Sequence, residues 1–424
     1  MLGSGTFRLE PPRLRTNEDQ ASERHATWYE LFFDLVFAAA VIELATALAD
    51  DPTRAVFGRF AGLFFAITWA WTGFAVYANR FDTDDLIYRL IKAGAAFATA
   101  AIAIEIPRLM AGDGGTMAFA ASYAVIKVLL VALYVRARLH VHEHGRRLID
   151  TYIAAYTFTS LLWVVSIVVP SPYRVVIWCV ALAFDLCVPP YAWRILGSSP
   201  IVVSHITERF GQFFIVVLGV SIASVVGAVA GLQFSFEAWV LAGACFITAL
   251  SLWWIYFDLA DTSVVGRGAL GLVFVYGHFP LLPGIAAFAA GTTLAITEVH
   301  RGALEAGGRW AIAGGLAAFA LALAAMHLGA EWTSPRDRSL IARFVLVAVL
   351  VALAALGGGL VPLVFVLLVM TAMLGQLLLE AFTYPTGAAS VLEPPEAAWN
   401  QAAASSETRD PRSSGSSISS ERPG

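Results

Sequence analysis

The stretch from Trp28 to Ala45, "WYELFFDLVFAAAVIELA", is apolar enough to cross a bilayer, yet it carries Glu30, Asp34 and Glu43. A helix rises about 1.5 Å per residue, so a run of this length covers close to 30 Å of hydrocarbon. A carboxylate at that depth is expensive unless it faces a partner or a wet cavity. Glu30 and Asp34 are four apart and share one helix face, with Cβ atoms about 5–6 Å from each other. Two acids that close do not both ionise cheaply. Either a cation sits between them, or the pair titrates as a unit. A structural ion pair pinning this helix to its neighbours and a path for protons, cations or substrate both fit. Glu43 lies about 900° of rotation beyond Asp34, hence on the opposite face and about 13 Å further along.

The same reading extends along the chain. Of 424 residues, 58% are hydrophobic and 14% charged, and the mean hydropathy is +0.73. Soluble domains carry about 25% charged residues, so this composition indicates an all-α polytopic membrane protein whose first partner is the lipid bilayer. The net charge of −4 gives no pull towards nucleic acid. Residues 1–28 form a polar N-terminal segment without a signal-peptide core, so retention of the N-terminus is expected. Residues 383–424 are rich in Ser, Pro and Ala and read as a disordered tail.

About twelve transmembrane helices are expected: 30–49, 56–78, 90–106, 117–135, 151–169, 174–190, 209–230, 238–257, 269–290, 310–328, 340–357 and 359–380. "GGG" at 357–359 and Pro362 leave the last pair open as two short helices or one kinked helix. With the N-terminus inside, about 17 Lys and Arg fall on the cytoplasmic side and about 6 on the other. Arg136, Arg138, Arg146 and Arg147 form the clearest inner cluster. The positive-inside rule then puts both termini in the cytoplasm of a cell (inner or plasma) membrane protein.

An internal echo accompanies this count. "YELFFDLVF" opens the first helix and "TERFGQFFI" the seventh. Aligning Glu30 with Glu208 brings Asp34 onto Gln212. "TWAWTGFAVYANRFDTDD" (68–85) and "SLWWIYFDLADTS" (251–263) rhyme in the following helices. The offset of six helices is even, which indicates two parallel six-helix halves, 29–190 and 191–382, with candidate sites between them. Arg209 follows Glu208 and is placed to neutralise a carboxylate of the other half.

Other charged groups fall within spans. Lys127 lies in helix 4 and Asp185 in helix 6, where a buried structural pair is the favoured reading. Pro189 and Pro190 are expected to break helix 6. Asp258 ends helix 8 and His278 lies in helix 9. Glu105, Glu298 and Glu380 read as acids at solvated helix ends. Trp69, Trp71, Trp253 and Trp254 lie deep, where packing explains them and their N–H groups need partners.

No P-loop, zinc-protease or nucleophile-elbow motif occurs, so no catalytic residues and no cofactor are expected. Cys179, Cys187 and Cys245 read as small core residues. "HVHEHG" (140–145) holds a metal only if its loop is extended, and a polar loop is the simpler reading.

"ELFFDLVFAAAVIELA", then "ERFGQFFIVVLGVSIASV", then "LWWIYFD" together resemble the bacterial low-temperature-requirement A family across residues 28–382. The resemblance implies a polytopic membrane protein whose characteristic positions fall on Glu30 and Asp34, on Glu208, Arg209 and Gly211, and on Asp258. The family commonly reads "LGES" after the second block. This chain has "LGVS", with Val220 where an acid is expected. The family name records a growth phenotype, not an activity. The leading expectation is a secondary transporter or channel-like permease for a small ion or solute, with an acidic path of Glu30, Asp34, Glu208, Arg209, Gln212 and Asp258. Glu43, Lys127, Asp185 and His278 are secondary candidates. The alternatives are a membrane-adaptation scaffold, in which every acid meets a base, and an intramembrane lipid enzyme using Asp258 and His278.

Overall fold

The computed structural model describes residues 9–15, 27–112, 116–141, 143–196, 203–233, 235–259, 269–300, 302–328 and 338–383. The expected tail, residues 384–424, lies outside them. Twelve helices among the described residues are long and apolar enough to cross a membrane. They are α1 (Trp28–Asp50), α2 (Arg54–Arg80), α3 (Leu86–Ala111), α4 (Thr116–His140), α5 (Glu143–Val168) and α6 (Tyr173–Leu196). There follow α7 (Val203–Ala230), α8 (Phe236–Leu259), α9 (Ala269–Thr297), α10 (Ala306–Leu328), α11 (Arg338–Leu356) and α12 (Pro362–Thr383). This is a multi-pass, all-helical membrane protein.

Most helices run beyond their apolar cores, because polar groups satisfy their ends. Thr27 caps α1: its hydroxyl accepts from the Glu30 N–H, and Glu30 accepts from the Thr27 N–H in return. This capping box is spelled T-x-x-E in the sequence. The polar N-terminal segment also holds structure that its composition did not announce. Arg13–Leu14 (β1) pairs antiparallel with Phe81–Asp82 (β2), just beyond α2. Arg136 donates to the Glu10 carbonyl and grips Asp85, the N-cap of α3, through both carboxylate oxygens. The N-terminal strand thus lies over the arginine-rich ends of α2 and α4.

Two expectations about helix ends are decided. The region after residue 338 is two helices: α11 stops at Leu356 and α12 begins at Pro362. A Cβ on Gly357 would lie 2.5 Å from the Leu353 carbonyl, so the turn needs glycine. Arg309 donates to the Ala354 carbonyl at 3.1 Å, satisfying the end of α11. Pro189 and Pro190, expected to break helix 6, instead lie inside α6, which continues to Leu196. Pro190 has no N–H for the Leu186 carbonyl four residues earlier. The Tyr276 hydroxyl of α9 donates to that carbonyl at 2.6 Å. A neighbouring helix thus repairs the proline defect, as membrane bundles permit.

The histidine run also differs from an extended loop. Glu143 already opens α5, His140 Nδ1 bonds the Arg136 carbonyl at 2.9 Å, and His142 lies outside the described residues.

Packing places α1 centrally. It lies against α2 and α3 on one side and against α7 and α9 on the other, while α7 lies against α8 and α9. α9 and α10 approach closely. A Cβ on Gly315 would sit 2.5 Å from the Gly284 carbonyl, and a Cβ on Gly284 would strike the Gly315 carbonyl in turn. Without a hydrophobic drive between helices in lipid, such small-residue contacts supply the dispersion energy. α10 carries a π-helical turn, Trp310–Gly314, near this contact.

Candidate functional site

Asp34 and Arg209 are each the seventh residue of their helix, α1 and α7. Their side chains meet in the core. Arg209 Nη1 lies 2.8 Å from Asp34 Oδ2, and Nη2 lies 2.6 Å from Oδ1. Both residues are buried. A bidentate fork of this kind fixes orientation as well as charge. Since both residues sit near helix N-termini, the contact places those two ends on the same side of the bundle.

Three further groups complete the cluster. Trp71 Nε1 of α2 donates to Asp34 Oδ1 at 2.7 Å, and its ring lies 5.6 Å from the Arg209 guanidinium carbon. Arg209 Nη1 also donates to Gln212 Oε1 at 3.1 Å. Gln212 Nε2 in turn donates to Glu208 Oε1 at 3.1 Å. One guanidinium therefore binds both Asp34 and Gln212, the positions matched when the two helix openings are aligned. Phe213 stacks on Trp71 with ring centroids 4.4 Å apart, which holds the indole in place.

Glu30 and Asp34 both lie in the field of Arg209 and Lys92, but Glu30 directs its hydrogen bonds elsewhere. Its Oε2 turns to Thr27, accepting from the backbone N–H at 2.9 Å and the hydroxyl at 3.3 Å. It also lies 3.8 Å from His205 Nε2. The other oxygen, Oε1, is buried without a hydrogen-bond partner. His205 precedes Glu208 by one helical turn, and its Nδ1 lies 3.4 Å from Asn79 Nδ2. The Lys92 ammonium stands close by in a frame of aromatic rings, 4.7 Å from the centroid of Phe33, 5.3 Å from Tyr88 and 5.5 Å from Tyr29. Sequence reasoning missed His205, Lys92 and Asn79. The H-x-x-E spacing of His205 and Glu208 was a readable signal. The aromatic frame of Lys92 was not, since its rings come from separate helices.

The remaining candidates lie apart. Lys127 binds both oxygens of Asp185 at 3.0 and 2.8 Å, and Thr159 donates to Asp185 Oδ1 at 2.9 Å. Glu43 is half-buried on α1. His278 Nε2 shares a hydrogen bond with the Tyr256 hydroxyl at 2.8 Å, and its Nδ1 meets the Phe274 carbonyl at 2.7 Å. Both ring nitrogens are thus engaged. Asp258 lies in the last turn of α8, and its side chain is outside the described residues. Val220 is buried among apolar residues. Glu380, expected at a solvated helix end, is instead buried: Arg343 of α11 grips it at 2.7 and 3.1 Å, and Gln376 donates to it at 2.5 Å. Hydropathy hides this pair because the helix end carrying Glu380 is covered by α11.

Comparison with known proteins accords with this architecture. The family profile described as "Bacterial low temperature requirement A protein (LtrA)" matches residues 25–378. An uncharacterized protein of Rhizobium meliloti (strain 1021), RA0937, is 29% identical over 306 residues, covering 68% of this chain and 73% of the relative.

Proposed function

The chain belongs to the bacterial low temperature requirement A family, and from that premise we propose that it is a secondary transporter or channel-like permease with a proton- or cation-linked path. The carrying observation is that Arg209 of α7 binds Asp34 of α1 and Gln212 at once. In this reading the chain consists of two parallel six-helix halves, and the fork is the latch between them. Rocking of one half against the other opens it. Glu30, whose Oε2 lies 3.8 Å from His205 Nε2 and whose Oε1 is buried without a hydrogen-bond partner, is the group that takes up the coupled proton or cation. The membrane is the plasma membrane, with both termini cytoplasmic.

The packing supports the two-half reading. α1 lies on α2 and α3 as α7 lies on α8 and α9. In each half an acid of the last helix is held by a base from an earlier one: Asp185 by Lys127, and Glu380 by Arg343. Reconstitution in liposomes with proton and cation readouts tests the reading, with Asp34→Asn as the comparison. Absence of flux across a broad ion and solute panel would sink it.

A second reading is favoured by one observation. Asp34, Asp185 and Glu380 all meet a base, as a non-transporting scaffold that supports the membrane in the cold requires. Such a scaffold keeps its cold-growth role when Asp34 and Arg209 are replaced together by apolar residues. A transporter loses it.

A further inference from the structure

Arg80 ends α2 with its side chain turned into the bundle, 7% exposed. Its Nε and Nη1 are buried without a hydrogen-bond partner. Four other buried bases are matched: Arg209, Lys127 and Arg343 by carboxylates, and Arg174 by the carbonyls of Ser166, Ile167 and Val169. Among the described residues no carboxylate pairs with Arg80. Tyr152 meets it through the ring face, with the centroid 4.6 Å from Cζ. That contact offsets part of the charge, but it leaves Nε and Nη1 without hydrogen-bond partners.

The surrounding hydroxyls sharpen the point. Those of Tyr134 and Tyr152 are also buried without a hydrogen-bond partner. Their rings stack with centroids 5.3 Å apart, and Tyr156 lies within 5.6 Å of both. Tyr77, at the edge of the cluster, differs: its hydroxyl donates to the Leu133 carbonyl at 3.3 Å. So α2, α4 and α5 converge a guanidinium and two phenols: among the described residues the phenol oxygens are the acceptors nearest the guanidinium, without reaching hydrogen-bond geometry, and no group accepts the phenol protons. Buried donors in native proteins nearly always find acceptors. A buried guanidinium without a counter-charge is costlier still. One small anion satisfies both needs.

We propose that Arg80, Tyr134 and Tyr152 form a binding site for an oxyanion, a carboxylate or phosphate group, beneath the N-terminal strand. β1 lies next to the site, where the Arg15 N–H donates to the Arg80 carbonyl at 3.0 Å. The site is separate from the Asp34–Arg209 fork and stands whether or not the chain moves solutes. The group arrives either as a free anion or as the headgroup of an anionic lipid.

Full-length protein in nanodiscs of neutral lipid is titrated with inorganic phosphate and with acetate by calorimetry. In parallel, phosphatidate-containing nanodiscs are assayed for retained lipid by native mass spectrometry. Saturable binding in the first arm identifies a free anion, and stoichiometric retention confined to the second identifies a headgroup. In either case Tyr134→Phe and Tyr152→Phe, which keep the rings and their packing, weaken binding about tenfold each. Arg80→Gln removes it. Binding in neither arm, or binding unchanged in all three variants, would overturn the proposal.

Discussion

Arg209 of α7 holds both carboxylate oxygens of Asp34 in α1, across 175 residues of sequence. Removing one partner leaves the other charge buried and unmatched, which costs about 3–5 kcal/mol. Replacing both with apolar residues of similar volume is close to neutral. Asp34→Leu alone is therefore expected to lower the melting temperature in detergent strongly. Adding Arg209→Met restores most of the loss. Equal and additive losses in the two single variants would contradict a coupled pair.

Tyr276 and Pro190 give a second coupled pair. The Tyr276 hydroxyl serves the Leu186 carbonyl that Pro190 leaves open. Tyr276→Phe is expected to destabilise by on the order of 1 kcal/mol. In a Pro190→Ala background α6 regains its own N–H donor, and the same change becomes nearly silent. Thermal unfolding of the four proteins in this cycle reads the coupling.

Gly284 and Gly315 predict a steric effect. Each would drive a Cβ into the other's backbone carbonyl, and backbone cannot step aside as a side chain can. Gly315→Ala is expected to cost about 1–3 kcal/mol. Gly219, where a Cβ meets nothing within 4 Å, serves as the control: Gly219→Ala leaves unfolding unchanged or slightly raises its midpoint.

These helix contacts show where the sequence was legible. Hydropathy and spacing located all twelve helices, because a spanning helix must satisfy its backbone internally and so declares itself by length. Arg209, which follows Glu208, was expected to neutralise a distant carboxylate, and it binds Asp34. What failed was whatever depends on a distant neighbour. Pro189 and Pro190 read as a break because Tyr276 lies far along the chain. Glu380 read as solvated because nothing nearby in sequence reveals Arg343. The T-x-x-E box beginning at Thr27 was visible in the sequence too, and it occupies the Glu30 carboxylate, which shares the field of Arg209 and Lys92 with Asp34.

The N-terminal strand gives a pH prediction outside the spans. Burial works to raise the Asp85 carboxyl, but the hydrogen bonds from Arg136 and the Tyr88 N–H outweigh it and hold it below the usual carboxylate range. A carboxyl depressed by folding contributes stability above its unfolded value, about 3.9, and loses that contribution as pH falls through the folded value. Asp85→Asn should thus be less stable than the parent from neutral pH down to about 4. The gap narrows further below. Unfolding midpoints across pH 3–8 check this, and a gap that widens on acidification would contradict it.

The central claim is that the Asp34–Arg209 fork is a latch that opens during transport. Proton and cation flux into liposomes, measured side by side for the parent protein and Asp34→Asn, tests it most directly. Flux is expected in the parent and is lost in the variant, at equal reconstituted protein. Undiminished flux in Asp34→Asn, or no flux of any ion or solute in the parent, would contradict it.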